Sequence, residues 1–170
     1  MEKLKGFKEI SPYEVENAAK LIGKDWMLIT ARDGDGANAM TASWGCLGVL
    51  WHKPVAICFI RPQRYSFELV EKADVISLAF LGEDKREALN ICGTKSGRDC
   101  DKLALAGLCA SEYDGIPVIS EAKLALIGRK LYVGRIEESG FIDKSLLSNY
   151  KNKDYHYVYV LEIEKALLGE

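Results

Sequence analysis

Residues 33 to 51 read DGDGANAMTASWGCLGVLW, and the fold turns on how this stretch is parsed. Asp33-Gly34-Asp35-Gly36 is a strong turn signal set directly after Trp26 to Arg32 (WMLITAR), a run that suits a strand. The chain is expected to fold back antiparallel there, with one partner strand continuing to Trp51. Within that partner, Asn38-Ala39-Met40-Thr41-Ala42-Ser43-Trp44 places an amide, two hydroxyls and an indole where pairing and packing are required. Taken alone it reads as a polar strand; the alternative is a set of donors for a ligand. Strand side chains alternate, so Thr41 and Ser43 cannot face the same way as Ala42 and Trp44, which gives weight to backbone donors.

Before this stretch, Ser11-Pro12-Tyr13-Glu14 has the order of a capping box with proline at the first helical position, and predicts a helix to about Ile22 ended by Gly23. After it, Pro54 opens Val55 to Ile60 (VAICFI), whose near-continuous apolar character implies burial on both faces. A helix is expected from Gln63 to Ala73, a strand over Val75 to Leu81, and a helix over Glu83 to Cys92. Gly93 to Arg98 reads as a polar loop, and Asp99 as the N-cap of a short helix to Ala106. The remainder is mostly β: Ala110 to Tyr113, Pro117 to Ile119, Ala122 to Ile136 and Tyr155 to Ile163. Six or more strands with helices only as insertions predict a mainly β fold, an antiparallel barrel with helical decorations.

The 170 residues are expected to form a single domain spanning 1–170, long enough to bury a sizeable core. A formal net charge of -2 supplies no electrostatic footprint for nucleic acid or for an anionic membrane. No apolar run is long enough to span a bilayer or serve as a signal peptide, which makes a cytoplasmic location the expectation. Five cysteines without a C-x-x-C pair read as reduced thiols, and two distant histidines suggest no metal site.

Three polar segments interrupt the strands: Asn38 to Trp44, Arg61 to Ser66 (RPQRYS) and Thr94 to Asp101 (TKSGRDCD). The second opens a helix, so Tyr65 and Ser66 can offer N–H groups and a hydroxyl to an anion, with Arg61 and Arg64 adding charge-assisted bonds. The third sets Lys95, Ser96, Gly97 and Arg98 in a glycine-containing turn, an anion cradle by composition. Each also reads as a solvated surface loop. Neither a Walker A loop nor a G-x-G-x-x-G fingerprint is present, and G-x-S-x-G and H-E-x-x-H are absent too.

In this order and spacing the three segments resemble the flavin reductase-like family, over about Asp25 to Ile163. The resemblance implies an FMN-binding split β-barrel, antiparallel and usually homodimeric, with FMN near the subunit interface. It places Asn38, Thr41, Ala42, Ser43 and Trp44 near the isoalloxazine and ribityl chain, with Cys58 on the strand beneath. Arg61, Tyr65 and Ser66 would hold the phosphate and ribityl end, and Lys95, Ser96 and Gly97 would close over the phosphate. Lys95 or a backbone amide would stabilise the reduced ring near N1 and O2. No residue stands out as a dedicated catalytic acid or nucleophile, as flavin chemistry allows. The implied activity is transfer of hydride or electrons from NADH or NADPH through FMN to flavin or another acceptor. A flavoredoxin-like carrier reduced by a redox-protein partner, and a flavin-binding module without turnover, are the alternatives.

Overall fold

The Asp33–Gly36 turn forms as its sequence requires: in a computed structural model, which describes residues 1–169, Asp33 pairs with Gly36 across a two-residue loop in which Gly34 has φ +56°. The strands are β1 (Phe7–Ile10), β2 (Met27–Asp33), β3 (Gly36–Ala42), β4 (Gly45–Leu50) and β5 (Lys53–Ile60). They continue as β6 (Val75–Phe80), β7 (Ala110–Tyr113), β8 (Ile116–Ile119), β9 (Leu124–Arg135) and β10 (Tyr157–Gly169). Among the described residues the α-helices are α1 (Ala18–Lys20), α2 (Tyr65–Lys72), α3 (Arg86–Thr94) and α4 (Lys102–Leu105).

One antiparallel sheet runs in the order β3-β2-β6-β9-β10-β5-β4, with β1 on β10 and β7–β8 as a separate hairpin. Its two end strands, β3 and β4, are consecutive in the chain and joined only through Ser43 and Trp44. The sheet must therefore curl until its edges approach, which makes a split β-barrel with its seam at Ser43–Trp44. Register shifts in β10 at Val160/Leu161 and Ile163/Lys165 supply bends, since a bulge sharpens local twist.

Alternation sorts the side chains into two cores. Met27, Ile29, Met40, Ile76, Leu78, Leu126 and Tyr159 fill the barrel. Leu28, Ala39, Ala79, Ala125 and Ile127 face the other way, beneath Leu89 and Cys92 of α3, Leu103 of α4 and Val118 of β8. One side of the barrel is thus covered by helices, while β4 remains largely exposed.

Four expectations are corrected. The partner strand does not continue to Trp51: it stops at Ala42, and β4 pairs with β5 instead, because closure of the sheet sends the chain across the seam. The Ser11 capping box forms, but its helix lasts one turn; Val15 is extended, Asn17 is left-handed, and helix resumes at Ala18 to end at Asp25, not Gly23. Packing of Val15, Leu21 and Ile22 on the barrel interior overrides the local start signal. In β5 only one face is sealed, for Ile57 and Phe59 are half-buried while Ala56, Cys58 and Ile60 are buried. The short helix after the polar loop is capped by Asp101, whose carboxylate accepts from the Ala104 N–H at 3.1 Å, not by Asp99.

Candidate functional site

The seam opens a cleft of about 220 Å³ lined by Met40 to Trp44, Phe59, Arg61, Arg64 and His156. A smaller hollow of about 100 Å³, lined by Gln63 to Ser66, Thr94 to Gly97 and Lys102, adjoins it through the shared Arg64. Eleven of the twelve residues singled out in the sequence lie here or against it. Thr41, Ala42, Ser43, Trp44 and Arg61 line the cleft; Tyr65, Ser66, Lys95, Ser96 and Gly97 line the hollow.

Asn38 is buried beneath the hollow, and its Nδ2 donates to Ser66 Oγ at 2.8 Å, which leaves the serine hydroxyl proton free for another acceptor. The 95–97 loop lies directly on that pair: a Cβ on Gly97 would stand 2.4 Å from Asn38 Oδ1 and 2.7 Å from Tyr65 Cδ1. Only glycine permits so close an approach. Thr41 spends its hydroxyl on the Leu89 carbonyl of α3, so its contribution to the cleft comes from backbone, as strand alternation requires.

Cys58 is the exception. Its side chain is fully buried in the barrel interior, where burial pushes the thiol up to about 12, and the adjacent Phe59 takes the cleft wall instead. The period of two along β5 decides between neighbours that sequence alone left equivalent. Arg61 is displaced as well, since it lines the ring-sized cleft and not the hollow. Its guanidinium pairs with Asp154, donates to the Asn149 carbonyl at 3.0 Å and lies 5.2 Å over the Tyr150 ring. Gln63 also donates to Asp154, at 2.7 Å. These bonds fasten a strap, residues 136–156 between β9 and β10, across one end of the cleft.

Arg64 and Lys102 define the hollow electrostatically. Arg64 donates to the Gly93 and Cys92 carbonyls at 2.8 and 3.4 Å, and Lys102, 3% exposed, donates to the Cys92 carbonyl at 3.3 Å. Neither has a carboxylate partner among the described residues. Burial holds both cations below their ordinary pKa, with Arg64 repelling Lys102 further. The hollow also faces the N-terminus of α2, which no side chain caps; the Phe67 N–H donates to the Arg64 carbonyl at 3.0 Å, which leaves the N–H groups of Tyr65 and Ser66 for a ligand. A buried and a half-buried positive charge, a helix N-terminus and a free hydroxyl form a cradle for a compact anion such as a phosphate. The adjoining cleft, with Trp44 and Phe59 in its wall and strand backbone along one side, suits a planar ring with polar edges. The residues present fit the phosphate and ring of FMN.

His156 and Lys102 were not singled out as ligand residues in the sequence. His156 is 8% exposed, its Nδ1 lies 2.9 Å from Tyr150 Oη, and its ring centroid is 5.2 Å from that of Trp44. Burial and the nearby Arg61, opposed by Asp154, push its pKa to about 4. Its signal was the position of a histidine at the mouth of an alternating strand, which periodicity alone does not distinguish from packing.

Residues 20–157 match the flavin reductase like domain family. Among solved structures, the chain is similar to an FMN-binding domain of a flavin reductases-like enzyme from Shewanella baltica, with TM-score 0.69 and 17% identity over 96% of this chain and 77% of that one. It is also similar to a flavoredoxin from Methanosarcina acetivorans, with TM-score 0.66 and 22% identity over 86% and 69%. An FMN-binding protein from Thermus thermophilus with bound 1-cyclohex-2-enone gives 0.63 and 21% over 83% and 68%. At these identities the likeness is one of fold. No curated protein sequence matches the chain.

Proposed function

The chain belongs to the flavin reductase-like family, and from that premise we propose that it is an FMN-binding oxidoreductase that takes hydride from NADH or NADPH and delivers electrons to flavin or another acceptor. The observation that carries this reading is the pair of cations without a carboxylate among the described residues, half-buried Arg64 and buried Lys102, each bonded to carbonyl oxygens. An uncompensated buried charge is costly, and a phosphate dianion is the partner that would relieve both. Ser66 and the first turn of α2 would complete its hydrogen bonds, and Asn38 would fix the serine rotamer. Backbone of Thr41 to Trp44 would meet the polar edge of the ring, with Trp44 and Phe59 at its margins. When bound, FMN supplies hydride acceptance and onward electron transfer; the protein holds its position and excludes water.

A visible spectrum of the purified protein tests the binding, and anaerobic addition of NADH or NADPH tests the reaction. Bleaching of bound flavin is expected, and failure with both nucleotides would overturn the hydride step. Trp44, 47% exposed at the cleft, favours a second reading in which a redox protein docks against the ring edge, as for a flavoredoxin-like carrier. Reduction by ferredoxin without NAD(P)H oxidation would decide for it.

A homodimer is part of the same proposal. Val49, Leu50 and Trp51 on the β4–β5 hairpin and Tyr132 on β9 are exposed apolar side chains on the uncovered side of the barrel. A second copy would bury them, and a monomer by light scattering would refute this. Five unpaired thiols suit a reducing compartment such as the cytoplasm. No helix among the described residues is long and apolar enough to cross a membrane.

A further inference from the structure

His156 is the one titratable side chain in the cleft that the phosphate-and-ring reading leaves without a task. Its ring is set between Trp44 and Phe59, with centroid distances of 5.2 and 6.3 Å, and it lines the same cleft. Nδ1 and Tyr150 Oη are 2.9 Å apart, and Tyr150 is itself buried. The phenol has no other hydrogen-bond partner among the described residues, so its proton must go to Nδ1; the reverse arrangement would strand a buried O–H. In a neutral imidazole whose Nδ1 accepts, the proton resides on Nε2. Nε2 has no protein partner, yet it is not an enclosed unpartnered atom, for Thr30 Oγ1 is the only such side-chain atom among the described residues. Nε2 is therefore open to solvent, on a side chain that lines the cleft.

We propose that the Nε2–H of His156, fixed by Tyr150, is the anchor for the carbonyl oxygen of an uncharged planar molecule bound beside the ring in this cleft. Such a carbonyl is found in the carboxamide of a nicotinamide and in an aromatic aldehyde or enone that accepts electrons. A neutral donor selects an acceptor atom without demanding charge, and the flanking Trp44 and Phe59 favour a flat partner. The charges that act on the imidazole, Arg61 and Asp154, are paired with each other and act on it in opposite senses, so no unpaired cation of the strap stands beside it to draw a carboxylate. His156 is thus a specificity-determining residue, and Tyr150 a positioning residue that acts through it. The inference rests on FMN occupying the cleft floor, and the test separates the two.

FMN binding is first measured by fluorescence quenching. Imidazole ¹⁵N spectra of the full chain at pH 7 are then expected to show the Nε2–H tautomer at His156, and an Nδ1–H tautomer would overturn the proposal whether or not flavin binds. Titrations of the FMN-loaded protein with nicotinamide, benzaldehyde and benzoate separate the sources. His156→Phe, which retains an aromatic wall, is expected to weaken one or both carbonyl probes about tenfold, the worth of one neutral hydrogen bond, and to leave benzoate unchanged. His156→Gln, with an amide N–H, should restore part of the loss. Loss for nicotinamide alone assigns the anchor to the hydride donor, and for benzaldehyde alone to the acceptor. Equal affinities of the wild type and His156→Phe for both probes, in protein that does bind FMN, would overturn the proposal and spare the flavin reading. Absence of FMN binding would overturn the flavin reading and, with it, the anchor beside the ring, whichever tautomer His156 shows.

Discussion

Arg61 and Arg64 stand three residues apart in one loop and meet opposite fates. Arg61 pairs with Asp154, and the charge it brings is cancelled within the protein. Arg64 turns to the carbonyls that end α3, joins the buried Lys102, and finds no carboxylate. The first arrangement is complete without a ligand; the second is complete only with an anion. What marks a binding site is therefore the missing counter-charge and not the number of cations.

This contrast can be broken in four ways. Replacing Arg64 and Lys102 together by Met is expected to weaken FMN binding on the order of 10³-fold, since each contributes a hydrogen bond to a charged group; fluorescence titration with a change under tenfold would place the phosphate elsewhere. On the latched side, His156 has a folded pKa of about 4, below its unfolded value, so the unfolded chain binds the extra proton first. Stability from this group is present above about pH 6.5 and lost as the pH falls toward 4. Between pH 7 and 4.5, urea unfolding of His156→Gln should lose about 2 kcal/mol less than the wild type, and parallel losses would refute the assignment. Lys102→Met in FMN-free protein should raise stability by about 1 to 2 kcal/mol, or several degrees in melting temperature, because it removes an unpaired buried charge. A lower melting temperature would show that Lys102 is satisfied already. The smallest effect belongs to Arg61→Met, with FMN affinity within about threefold of the wild type and the difference appearing as faster proteolysis of the 136–156 strap. A large loss of affinity would erase the distinction between the two arginines.

The alternation, turn and capping signals made most strands legible in the sequence, and the three polar segments do converge on one cleft and hollow. The break at Ser43–Trp44 was not legible, for nothing local stops the strand; the cause is the meeting of sheet edges far apart in sequence. Which arginine is spent was equally hidden, because Asp154 lies 93 residues from Arg61 in the chain. Cys58 and Phe59 show a different limit. A nearly continuous apolar run conceals which face is the interior, and the assignment waits on the barrel's curvature.

The seam has a mechanical consequence. Ala42 and Gly45 are separated by three virtual bonds, so the end strands of the sheet can never stand more than about 11 Å apart at that point. The covalent chain acts there as a ruler of fixed length, set at the wall of the cleft itself. A bulkier guest cannot be admitted by prying the strands open, and must be accommodated from the strap side. Adding residues between Ser43 and Trp44 would lengthen the ruler, and with it the aperture, while leaving every strand pairing in place.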